Sequence, residues 1–173
     1  FTKSTIANED TLLARTNNWN PVKQLRERVR RYGIERGIGN KFGISVKGDS
    51  FTNHDRRYLV NYFKSIYDYL NGTVSNSFEE AKELQKHAPD RSVRTLVETR
   101  PDQIDEEWCT FLLKLGVSIV EIGVQSLDDA VLALNNRGHG VEAVIRATSL
   151  LRRHGFQVGF QLMVGLVGSN IEL

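Results

Sequence analysis

The sequence predicts an α/β fold, a partial parallel (β/α) barrel incomplete at both ends, and three observations predict it. First, four short apolar segments read as buried strands: FGISV at 42–46, VRTLV at 93–97, SIVEIGV at 118–124 and QVGFQLMV at 157–164. Second, helical patterns fill the intervals, and a strand–helix–strand order makes neighbouring strands parallel, because parallel pairs need a crossover connection. Third, the polar residues gather at or just past the strand ends, in KGDSF, ETRPD, GVQS and GLVGS. In parallel α/β sheets that edge is where ligands bind.

The elements follow in chain order. Residues 1–41 form a basic N-terminal segment: Lys23, Arg26, Arg28, Arg30 and Arg31 crowd one predicted helix after NNWNP, with Arg36 and Lys41 beyond. Cations for phosphates and a tryptophan, Trp19, for a base are the pieces of a nucleic-acid contact, and the plain alternative is a solvated helix face. Residues 42–173 carry the sheet. After the first strand, Lys47-Gly48-Asp49-Ser50 reads as a loop with a helix N-cap or as a ligand loop. At the second strand, Glu98 and Arg100 either pair with each other or serve a ligand.

Trp108, Phe111, Leu112 and Leu115 recur at i, i+3, i+4 and i+7, as do Val141, Val144, Ile145 and Thr148 with Leu151 continuing. These are helix faces laid on a sheet. Cys109 falls on the first and reads as core. Asp105-Glu106-Glu107 and Asp128-Asp129 occupy first helical turns, where negative charge complements the helix dipole. Gly116 and Gly155 each close a helix before a strand. Gln125 stands apart, because a buried strand that ends on an amide leaves donors and acceptors to be satisfied, and a ligand is the economical partner. Ser126 follows it. His139 is a lone histidine near a helix end and no metal ligand.

At 173 residues, 40% hydrophobic and 25% charged, the composition is that of a globular domain or a large piece of one. The formal charge of +2 is too small to argue a nucleic-acid partner by itself. One cysteine permits no internal disulfide. No apolar run approaches the roughly 20 residues of a membrane span, so a soluble, cytoplasmic chain without membrane contact is expected. The chain starts on Phe1 and reaches the capping-box spacing Ser169-Asn170-Ile171-Glu172 at its end. Both ends are expected to be cut.

The run from VEIGVQS through RGH to MVGLVGS resembles the radical SAM superfamily, and with ETRPD, NNWNP and YDYLNG it is most similar to the Elongator catalytic-subunit family, which modifies the wobble uridine of tRNA. The similarity extends from about Ser4 to Ser169. The resemblance implies S-adenosylmethionine, a 4Fe-4S cluster, acetyl-CoA supplied to a separate C-terminal domain, tRNA as substrate, and Elongator-type subunits or a second copy as partners. It places Gln125 and Ser126 against S-adenosylmethionine, Glu98 and Gly48 near its amino-acid or ribose portion, and Arg137 on a carboxylate or phosphate through its planar donor fork. It gives tRNA binding to Trp19, Lys23, Arg26, Arg30 and Arg31.

Three departures stand beside it. KGDSF replaces M-G-G-T-F, putting Asp49 where bare backbone would approach the ligand, either to bond an ammonium group or to block it. Val167 replaces the proline of G-L-P-G. The cysteines that ligate the cluster are absent from the chain. The preferred expectation is therefore a fragment of the modifying enzyme, inactive alone; the alternative is a silent tRNA-binding or subunit-docking scaffold. A coproporphyrinogen-oxidase-type enzyme shares GVQS, but ETRPD and RGH argue against it.

Overall fold

The computed structural model describes residues 9–48 and 50–169; Asp49 and most of the expected capping box lie outside the described residues. Strands β1 (Lys41–Val46), β2 (Arg91–Thr99), β3 (Ile119–Gln125) and β4 (Gln157–Leu162) form one sheet in the order β1-β2-β3-β4. β2 pairs with β3, and β3 with β4, in parallel. All four predicted segments are strands. β4 stops at Leu162 instead of continuing to Val164, because the chain turns there with Gly165 at φ 78°.

Two compact units make up the chain: Phe1–Phe42 with Arg56–Val93, and Gly43–Asp55 with Arg94–Leu173. The second contains β3, β4 and helices α5 (Glu106–Leu115), α6 (Asp129–Leu134) and α7 (Val141–Arg153). Val97, Val120, Ile122 and Val124 are buried on one face of the sheet, and α7 packs on β3 and β4.

The helix faces differ from expectation by a rotation. On α5 the buried residues are Cys109, Leu112 and Leu115, while Trp108 and Phe111 are half-buried and meet edge to face at 5.6 Å. On α7 they are Val144, Ala147, Leu150 and Leu151, and Ile145 is exposed. An apolar stripe is wider than the line of contact with a sheet, so its flanks remain outside. The acidic first turns are caps: Asp105 accepts from the Trp108 N–H at 2.7 Å, and Asp128 from those of Ala130 and Val131 at 2.8 and 3.3 Å. Gly116 ends α5 at φ 83°, in the left-handed region that a side chain disfavours.

The first unit holds α1 (Glu9–Thr16), α2 (Pro21–Arg31), α3 (Arg56–Asn71) and α4 (Phe78–Leu84). α3 buries Leu59, Phe63, Ile66, Tyr67 and Leu70, a heptad-like stripe, and Tyr67 stacks on Phe78 of α4 at 6.1 Å. Its polar centre is Asp90, fully buried. Asp90 accepts from Arg36 Nε, from the Gly37 N–H at 2.8 Å, and from the backbone and side-chain amides of Asn40 at 3.2 and 3.0 Å. Arg36 also donates to the carbonyls of Tyr69 and Leu70 and lies 4.2 Å over the Tyr69 ring.

Burial alone would raise the Asp90 pKa, but the bonds from Arg36, Gly37 and Asn40 outweigh it and hold the carboxyl below its usual value. A lowered folded value means that the stabilisation is complete above the unfolded pKa of about 3.9 and is lost as pH falls through the folded one. We predict that stability declines in acid below about pH 4 in part through this group. Asp90→Asn should remove that part and cost about 3 kcal/mol at neutral pH, because it strands the Arg36 charge. Urea unfolding of both proteins between neutral pH and about pH 3 reads the two effects.

Candidate functional site

The described members of the expected cofactor site, Gly48, Glu98, Gln125, Ser126 and Arg137, all belong to the second unit. β3 is the strand that shapes it. Ile122 pairs with Phe160 and Gln125 with Leu162, so three steps along β3 oppose two along β4, and the register shifts between them. The extra residue is a bulge, which re-aims side chains at sheet ends. Gln125 stands at φ 68°, uncommon for a residue with a side chain. Its backbone carbonyl accepts from the Met163 N–H at 3.0 Å. Its half-buried amide has no hydrogen-bond partner among the described residues. Ser126 accepts at Oγ from the Asp128 N–H at 3.2 Å and so begins the turn into α6.

On the face opposite the buried valines a polar row crosses the sheet. Glu98 of β2 lies in register with Glu121 of β3, and Glu121 with Gly159 of β4. Lys47, just past β1, sits between the carboxylates, 2.8 Å from Glu98 Oε1 and 3.4 Å from Glu121 Oε2. Gln161 Nε2 donates to Glu121 Oε2 at 3.2 Å. The Glu98 bond raises the Lys47 pKa; partial burial opposes it and Glu121 adds to it. The expected Glu98–Arg100 alternative is corrected here. Glu98 pairs with Lys47, whereas Arg100, past the end of β2, grips Asp102 with Nε at 2.9 Å and an Nη at 2.8 Å.

The RGH segment lies against that second pair. A Cβ on Gly138 would come 3.0 Å from an Arg100 Nη, so the backbone rests on the guanidinium. The ring nitrogens of His139 and Nε of Arg137 are buried without a hydrogen bond. Burial lowers the His139 pKa, opposed by Asp102 and by the backbone of Gly140 and Gly123. Gly48 is exposed at φ 141°, and nothing lies within 4 Å of where its Cβ would be. Its backbone is open to a ligand.

The nucleic-acid candidates belong to the first unit. Trp19 is 60% exposed, and with Asn18 it forms a left-handed pair, φ 50° and 58°, ahead of the Asn20 cap of α2. Lys23 and Arg26 are exposed, and Arg26 lies 5.9 Å over the Tyr69 ring. Arg30 and Arg31 both reach Glu27, at 2.6 and 3.4 Å, so the basic helix is partly neutralised from within.

Sequence reasoning missed Lys47, Glu121 and Gln161. It also missed the network in which Ser50 donates to Gln103 Oε1 at 2.6 Å and meets Thr99 at 3.1 Å, binding the first strand-end loop to the second. Alternation on β3 could have flagged Glu121, a charge amid buried residues. A groove of about 900 Å³ between α5 and α7, lined by Glu106, Trp108, Glu142 and Arg153, contains none of the expected site residues.

No group of three or more metal-binding side chains occurs among the described residues. The chain's one cysteine, Cys109, is fully buried, and burial, with Glu106 and Asp105 adding to it, pushes the thiol up to about 11. It does not fit an iron–sulfur cluster, which takes several thiolates. Among the described residues no helix is long and apolar enough to cross a membrane.

The family model described as Radical SAM superfamily matches residues 13–172. The chain is 36% identical over 156 residues to the tRNA uridine(34) acetyltransferase of Methanocaldococcus infernus, covering 90% of this chain and 29% of that protein. It is 29% identical over 154 residues to Elongator complex protein 3 of Homo sapiens, covering 89% and 28%. An archaeal Methanocaldococcus infernus Elp3 structure with an N-terminal deletion matches with a TM-score of 0.85 at 36% identity, over 92% of this chain and 37% of that one. The chain thus spans less than a third of the length of these two curated relatives.

The polar row makes one prediction. A Cβ at Gly159 would sit 2.8 Å from Glu121 Cγ, too close for any real contact. Gly159→Ala should push Glu121 off Lys47 and Gln161 and destabilise the protein by about 1–3 kcal/mol. Chemical denaturation measures it, and an unchanged midpoint would show that Glu121 yields freely.

Proposed function

The chain belongs to the radical SAM superfamily, and from that membership we propose that it is part of an enzyme that modifies the uridine at the tRNA wobble position with S-adenosylmethionine. Acetyl-CoA is then handled by a domain outside this chain, the product is of the carboxymethyl type, and the setting is cytoplasmic. The observation that carries the reading is Gln125, an amide without a partner, held at positive φ by a bulge at the ligand edge of the sheet.

S-adenosylmethionine would supply the radical chemistry once an electron reached it from a 4Fe-4S cluster whose ligands are not in this chain; the chain's residues would bind and orient it. Gln125 hydrogen-bonds the ligand, with Ser126 beside it. Arg137 offers its buried, unpaired Nε to a carboxylate or phosphate. Gly48 presents open backbone, and Asp49 follows it in sequence. Glu98, fixed by Lys47, accepts from an ammonium or hydroxyl group. Residues 1–41 form the tRNA-contacting part, with Trp19 stacking on a base and Lys23, Arg26, Arg30 and Arg31 meeting phosphates. Elongator-type subunits or a second copy complete the assembly.

A second reading is a silent tRNA-binding or subunit-docking scaffold related to the same family. Iron and sulfide content of the full-length, anaerobically purified protein separates the two.

Gln125→Ala in the full-length protein should weaken S-adenosylmethionine binding by roughly 1.5–3 kcal/mol, the cost of a lost bond to a charged group, without unfolding the protein. Calorimetric titration with unchanged affinity would remove Gln125 from the site.

For the basic helix, replacing Arg26, Arg30 and Arg31 with Ala should flatten the slope of log tRNA affinity against log salt by roughly 2–3 units, and Trp19→Ala should cost about 1–3 kcal/mol at all salt concentrations. Glu27→Gln, which removes the carboxylate that Arg30 and Arg31 reach, should steepen the slope. Equal slopes in the wild type, the triple variant and Glu27→Gln would assign the arginines to solvent, and an unchanged affinity in Trp19→Ala would do the same for Trp19.

A further inference from the structure

One amide holds the segment that follows β4. Asn135, at the C-terminal cap of α6, donates from Nδ2 to the carbonyls of Val131 at 2.8 Å and Val167 at 2.9 Å, and accepts from the Val167 N–H at Oδ1, 3.3 Å. The Val167 pairing runs both ways, as between two peptides in a sheet, so it fixes the orientation of that peptide as well as its position. Val167 is the second residue of a turn closed by the Ser169 N–H on the Leu166 carbonyl at 3.0 Å, with Gly168 third at φ 83°. That is the position where a type II turn requires positive φ. Gly168 also lies close on α6, since a Cβ there would come 3.1 Å from Leu134 Cδ2.

Packing does little for this segment, because Met163, Val164 and Val167 are all exposed. A backbone with so little burial opens at low cost unless hydrogen bonds restrain it. Its near end is tied to the candidate site, where the Met163 N–H meets the Gln125 carbonyl. Asn135 supplies the tie at the far end.

We propose that Asn135 is a positioning residue for this site: it touches no ligand, but sets the Met163–Ser169 segment, and through Met163 the Gln125 peptide, in the conformation that receives the cofactor. The inference rests on the reading of Gln125 as a cofactor contact. It also accounts for the second half of the asparagine's bonding, since capping uses only the Val131 carbonyl and leaves the two bonds to Val167 unexplained.

The test uses the full-length protein, purified anaerobically, with hydrogen–deuterium exchange over residues 163–169 and S-adenosylmethionine affinity as separate readouts. Asn135→Ala should speed exchange in that segment while leaving the sheet protected, and weaken affinity about tenfold, as loss of an orienting partner does. Val167→Pro, added to Asn135→Ala, should return affinity toward the wild type, because proline fixes φ at the turn position that favours it. General damage to the fold would not be rescued in this way. Wild-type exchange in Asn135→Ala, faster exchange with wild-type affinity, or no rescue by proline would each overturn the proposal. If the wild-type protein itself bound no S-adenosylmethionine, the cofactor reading and the positioning role would fall together, while the exchange data would still decide whether Asn135 clamps the segment.

Discussion

Glu98 and Glu121 stand opposite one another on adjacent parallel strands, and like charges in that relation repel. Much of the site follows from how the chain resolves this. Lys47 must reach between them, which fixes where β1 ends and where the loop carrying Gly48 starts. Gln161 donates its amide to Glu121, and Gly159, in register with Glu121, leaves room for the glutamate side chain. The strands β1, β2, β3 and β4 are therefore joined by side chains on this face as well as by their backbone ladder. The acceptors are thus held in place, so on the proposed reading little ordering remains to be done on binding.

The first unit uses charge in two ways. In the first, Asp90 is enclosed by fixed donors, a structural use of an ion pair. On α2, Arg30 and Arg31 reach Glu27 and Arg26 lies over the Tyr69 ring. Surface pairs of this kind contribute little to stability, so the arginines can exchange Glu27 for another anion at small cost. A phosphate is such an anion.

What could be read in advance was whatever depends on neighbours in sequence. The strands, the Asp105 and Asp128 caps, the Gly116 closure and the core placement of Cys109 follow from periodicity and from residue types a few positions apart. The oddity of Gln125 was also legible, because an amide at the end of an apolar strand needs a partner wherever the strand is placed. Pairings across strands were not legible. Glu98 could be weighed against Arg100, two residues away, but not against Lys47, whose approach depends on the packing of β1 beside β2. The same holds for Asn135 and Val167, 32 positions apart. The rotation of α7, with Ile145 outside and Ala147 inside, depends on the angle at which the helix meets the sheet, and periodicity does not fix that angle.

The glycine beneath Glu121 has a consequence for descent. A methyl group at position 159 and a glutamate at position 121 compete for the same space, so neither site can drift alone. A lineage that acquires alanine at 159 has to shorten or reorient the residue at 121, and a shorter residue there leaves Lys47 facing Glu98 alone and Gln161 without its acceptor. Among descendants of this chain, change at 159 should therefore come with change at 121, and Glu98 should stay acidic beside Glu121 only while Lys47 remains.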